Sequence, residues 1–199
     1  MGFLAKLIGK GASREEWISI TTVLAKDLEI LGDNSFQRFV RMVEDLSTND
    51  SFKEKEPGFS VVHRTLGGEA DLAIKAYELM SVSTALQRYH YIPKSKGTDF
   101  STLLWSQVCG TKLKEVIKQA GVYYDFVKTD EDKLPGRVGL DITTYISGGN
   151  KAVVIIVPLL TAEVLTLGGL VQACVAAEFG DKSTAQDIES KLIKFRAKL

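Results

Sequence analysis

The residues that could do chemistry in this chain are few and scattered. His63 and His90 are its only histidines, and Cys109 and Cys174 its only cysteines. Zinc normally takes three or four N, S or O ligands. Neither histidine stands at ligand spacing from a Cys, Asp or Glu, so both read as structural and no metal site is expected. A nucleophile–His–carboxylate triad would have to recruit one of them. Ser and Asp are plentiful, but no GxSxG elbow marks a nucleophile. Asp130, Glu131 and Asp132 in KTDEDKLPG invite calcium. The alternating acidic ligands, central Gly and closing Glu of an EF-hand loop are missing, so an exposed acidic loop is expected. The Gly pairs 67–68, 148–149 and 168–169 match neither a dinucleotide nor a P-loop fingerprint. No cofactor is implied.

Two further features carry chemistry. Glu163 is the one charge inside the apolar stretch 152–177. It suits either a base with a raised pKa or a carboxylate near a helix start, where it would satisfy free N–H groups; the second is expected. Tyr89-His90-Tyr91, between Arg88 and Lys94/Lys96, is the best aromatic and basic cluster, a pattern that can stack bases. Lys+Arg number 25 and Asp+Glu 25, for zero net charge. Nucleic-acid binding by counterion release needs a cationic surplus, so that partner class is disfavoured and a packed helix end is expected. Zero net charge also removes a barrier to self-association. The cysteines, in apolar contexts and outside any CxxC pair, suit buried thiols of a cytoplasmic protein. No secretory leader is read at the N-terminus.

The elements that must position these residues follow from periodicity. GFLAKLIGK places Phe3, Leu4, Leu7 and Ile8 on one helical face, with Lys6 and Lys10 off it, a cationic amphipathic pattern. So short a helix is marginal alone and must dock to be ordered. Position 6 is Lys where myristoylation needs Ser or Thr. Ser13 and Glu16 form a capping box for a helix ended by Gly32. Ser35 opens another, with Arg38 and Arg41 outward. Residues 47–58 read as an exposed loop, and 59–64 and 122–127 as short strands. A long helix is expected from Glu69 to Tyr91. Further helices start at Thr98, after Gly110 and at Ser183. Val138, Leu140 and Ile142 alternate with polar or small residues, the two-residue period of a strand. With the Gly148-Gly149 turn and AVVIIV they predict an antiparallel hairpin over 138–157. A helix follows from about Thr161 to Phe179. Its Gly169, Ala173 and Ala177 form a ridge of small side chains suited to close helix packing.

These elements predict a helix-dominated α+β fold, with about seven helices around a small antiparallel sheet; an all-α bundle is the alternative. Residues 1–12 form the amphipathic segment and 13–199 one globular domain. The expected function is non-enzymatic: an interaction or assembly protein, cytoplasmic and peripheral to a membrane or within a larger complex. Its docking residues are Phe3, Leu4, Lys6, Leu7, Ile8 and Lys10. The partner is a protein, a second copy, or an anionic membrane surface. One alternative is a pore-former that shelters 151–178, where Glu163, Pro158 and the Gly168-Gly169 pair argue against a permanent span. Another is an enzyme or ligand binder without a readable motif.

Overall fold

A computed structural model describes residues 14–149 and 157–197. Among the described residues the chain is all-helical, and the predicted α+β fold with its 138–157 hairpin is not found. The helices are α1 (Arg14–Thr48), α2 (Asp50–Lys55), α3 (Gly68–Tyr89), α4 (Lys94–Cys109), α5 (Leu113–Asp130), α6 (Leu134–Ile146), α7 (Val157–Glu178) and α8 (Lys182–Arg196). Single 3-10 turns, Gly110–Lys112 and Glu131–Lys133, precede α5 and α6.

The first predicted strand of the hairpin is α6. Val138, Ile142 and Ile146 are fully buried while Leu140 is half-exposed, so the working spacing is four residues. Alternation at 138, 140 and 142 satisfies the strand period, but 138, 142 and 146 satisfy the helical one, and burial selects the second. Pro135 in the first turn is an acceptable helix opener. The second strand, residues 151–156, lies outside the described residues. Val157 and Pro158 already belong to α7, where a proline in the first turn removes no bond.

The strand expected over 122–127 is the interior of α5, whose Val116, Ala120 and Tyr123 are buried one turn apart. Gly121 does not end that helix. Nor does Gly32 end α1, which is continuous for 35 residues. Leu24, Leu28, Phe36 and Phe39 are all fully buried on either side of Gly32, and their packing outweighs the glycine's weak propensity. Ser35, expected as a cap, is buried within the same helix. The 59–64 strand is an irregular segment in which Val62 and His63 both donate backbone N–H to the Ile146 carbonyl, at 2.8 and 3.0 Å. The polar loop over 47–58 contains α2, capped by Asn49 and anchored by Phe52 against Phe59 at 5.0 Å.

Contacts divide the chain into two compact units. One combines the described residues up to Leu31 with Glu78–Leu113 and those from Gly168 onward. Its centre is a run of rings. Trp17 meets Phe100 edge-on at 5.9 Å, Phe100 lies 5.7 Å from Phe179, and Phe179 stacks on Tyr91 at 5.2 Å. The other unit is Gly32–Tyr77 with Lys114–Leu167. Phe36, Phe39, Ile74, Tyr123, Val138, Ile142, Ile146, Leu160, Val164 and Leu167 fill it. Here α6 and α7 approach closely at Gly139, where a Cβ would sit 2.6 Å from the Leu160 Cβ and 3.2 Å from its backbone carbonyl.

Candidate functional site

Helix α7 is the structural oddity. From Val157 to Ala177 it has one charged residue, Glu163, and no polar face. Its 22 residues span about 33 Å at 1.5 Å per residue, close to the roughly 30 Å hydrocarbon core of a bilayer. Among the described residues it alone is long and apolar enough to cross a membrane, by length and composition. The core helix of a soluble protein meets the same test, and such a helix is normally buried on all sides. In α7, Leu160, Val164, Leu167, Val171 and Val175 are fully buried, yet Leu159 and Leu165 are 45% and 43% exposed.

Glu163 does not cap this helix. Because α7 starts at Val157, Glu163 stands beyond the first turn, and its carboxylate accepts from Arg38 Nε of α1 at 2.9 Å. Arg38 was expected to face water. Instead the two side chains are only 25% and 20% exposed. A lone carboxylate on an apolar helix needs a counter-charge, and that requirement was the available signal for a buried cation elsewhere.

Several of the other chemistry-bearing groups engage structural partners. Exposed His63 stacks on Tyr145 at 4.6 Å, below Gly67 and Gly68, which leave room for that ring. His90 is exposed and left-handed (φ 55°) just past the end of α3. The Tyr89-His90-Tyr91 cluster is a packed helix end. Arg88 sits 5.6 Å above the Tyr89 ring, and buried Tyr91 donates its hydroxyl to Asp181 at 3.0 Å. That pairing was not foreseen, although Asp181 ahead of KST is an ordinary helix-cap signal. Asp181 accepts from the Thr184 N–H at 3.1 Å and opens α8. In the other unit, Asp141 accepts from the buried Tyr123 hydroxyl at 2.9 Å and pairs with Arg137 at 3.1 Å. Burial and the Asp141 charge push the Tyr123 phenol well above its usual range. Asp130 pairs with Lys133 rather than joining Asp132 in a ligand set. Among the described residues, no three His, Cys, Asp or Glu side chains converge as a metal site would require.

The small-residue ridge of α7 is used unevenly. Gly169 admits Leu192 of α8, whose Cδ2 would lie 2.7 Å from an added Cβ; Ala173 is buried and Ala177 exposed. Phe3, Leu4, Lys6, Leu7, Ile8 and Lys10 lie outside the described residues.

Around Cys174 the field is acidic. Burial, then the charges of Asp27, Glu178, Glu189 and Glu78, push its thiol up to about 11. In a Cys109→Ser background, Cys174 is therefore expected to alkylate on the order of 100-fold more slowly near neutral pH than a free thiol of pKa about 8.5, with the rate still climbing above pH 9. Iodoacetamide kinetics against pH check this; a free-thiol rate at neutral pH contradicts it. Two carboxyl groups nearby titrate with opposite signs. Burial and Asp27 raise Glu178, so the stability its neutral form gives is present below the ordinary Glu range and lost as pH rises through the elevated value. Hydrogen bonds from Thr184, Ser183 and Tyr91 lower Asp181. Its contribution is present above the ordinary Asp range and lost as pH falls through the depressed value.

Among the described residues the fold is thus all-helical and contains one unusually apolar helix. No family model matches the chain, and no curated protein or solved structure matches it.

Proposed function

We propose that this is a non-enzymatic interaction protein, cytoplasmic and peripheral to a membrane, which docks through residues 1–12 on an anionic lipid surface. The observation that carries the reading is the segment GFLAKLIGK, with Phe3, Leu4, Leu7 and Ile8 on one face and Lys6 and Lys10 beside it. Four apolar side chains enter the headgroup boundary, and each lysine near an anionic surface adds about 1 kcal/mol. His63, Tyr91, Asp141, Glu163 and Asp181 each engage a structural partner.

Flotation with anionic vesicles tests the proposal. The full chain rises with the vesicles, and a chain starting at Ser13 stays below. Equal recovery of the two refutes membrane docking by this segment. A species heavier than 21.8 kDa in light scattering, without flotation, would move the docking partner to a second copy.

A further inference from the structure

We infer that α7 is a bilayer-insertion helix kept in the water-soluble fold by the Arg38–Glu163 ion pair, and that contact with anionic lipid releases it. This deepens the surface-docking reading and rests on it.

Three properties converge on α7. The first is length. At about 33 Å it matches the hydrocarbon thickness with little tilt, and Lys182 of α8 follows beyond its polar end at Glu178. The second is incomplete shelter, because 56% of its most apolar 18-residue window is buried. Leu159 and Leu165 face water in the half that carries Glu163. Pro158 falls in the first turn of α7 and Gly168-Gly169 lie inside an unbroken helix, so the interruptions expected at these positions are not found. The third is the placement of charge. Glu163 is the sole ionised group between Val157 and Ala177, and a carboxylate at that depth opposes insertion. In the fold it is held at 2.9 Å by a guanidinium from another helix, with both side chains mostly buried. The same contact therefore does two things. It neutralises the one charged side chain between Val157 and Ala177, and it ties α7 to α1. Leaving the bundle requires breaking it, so the pair is a latch.

Removing the charge and weakening the tie together should favour the inserted state, and Glu163→Gln removes the charge and reduces the ion pair to a neutral hydrogen bond while keeping the side chain's shape. The test places an environment-sensitive NBD probe at Leu165→Cys, in a Cys109→Ser, Cys174→Ser background, on vesicles of phosphatidylcholine with phosphatidylglycerol. The bound chain is expected to show a blue-shifted probe quenched from within the bilayer, and Glu163→Gln to insert at least about tenfold faster. Arg38→Met breaks the tie but leaves the carboxylate, and is expected to fall between. Asp181→Ala, which weakens the α8 cap and does not touch Glu163, controls for general loosening. Flotation without quenching at residue 165 overturns the inference and leaves surface docking standing. Absence of the chain from the vesicle fraction sinks both. Acceleration by Asp181→Ala equal to that of Glu163→Gln also overturns it, because the latch would then be no more than ordinary stability.

Discussion

Phe100→Ala is expected to cost about 3–5 kcal/mol, the range for deleting a buried aromatic side chain. Phe100 is fully buried in α4 and links two neighbours, meeting Trp17 edge-on at 5.9 Å and Phe179 at 5.7 Å. Each such ring pair adds about 0.5–1.5 kcal/mol beyond area burial. The loss extends further, because Phe179 stacks on Tyr91 and Tyr91 holds Asp181 at the start of α8. A cavity at residue 100 therefore loosens both the α4 packing and the α8 cap. Chemical denaturation followed by circular dichroism checks the figure. A domain of this size shifts its melting point by about 2–4 °C per kcal/mol, so a drop on the order of 10 °C should accompany the loss. A cost under about 1 kcal/mol would show that the ring run is not the centre of this unit.

The second large effect is a contrast between two glycines. On an exposed helix face, Gly→Ala normally stabilises by about 1 kcal/mol. Gly121 of α5 has nothing within 4 Å of a would-be Cβ, so Gly121→Ala should show that gain. Gly139 of α6 has the Leu160 Cβ at 2.6 Å and the Leu160 backbone at 3.2 Å. Backbone cannot swing aside as a side-chain tip can, so Gly139→Ala should instead lose about 1–3 kcal/mol by overpacking. A stabilising Gly139→Ala would mean that α6 and α7 do not approach as described.

The hairpin expected over 138–157 has a specific cause. A period of two and a period of 3.6 agree on residues four apart, and Val138, Ile142 and Ile146 satisfied both until burial chose the helix. Pro135, three residues before Val138, was the neglected signal, since proline favours the first turn of a helix and disfavours a central strand. Gly32 has the residue type of a C-terminal cap but not the positive φ that a left-handed cap requires; Gly110 and Gly180 have it. The long helix over residues 69–91 was legible, because its apolar positions keep the helical period for six turns between glycine and proline signals. At the site, Glu163 stands out as the lone charge between Val157 and Ala177. Its partner Arg38 did not, since the pair is 125 residues apart in the chain. Tyr91–Asp181 was hidden for the same reason, at a separation of 90 residues.

The most direct measurement of the central claim is the recovery of the full chain in vesicle flotation as lipid charge and salt are varied. Docking through an apolar face flanked by Lys6 and Lys10 predicts recovery that rises with the anionic lipid fraction. It should fall as salt goes from about 0.1 M to about 1 M, where the screening length shrinks from about 10 Å to about 3 Å. Recovery indifferent to both, or no recovery on any vesicle, would contradict a cationic amphipathic dock.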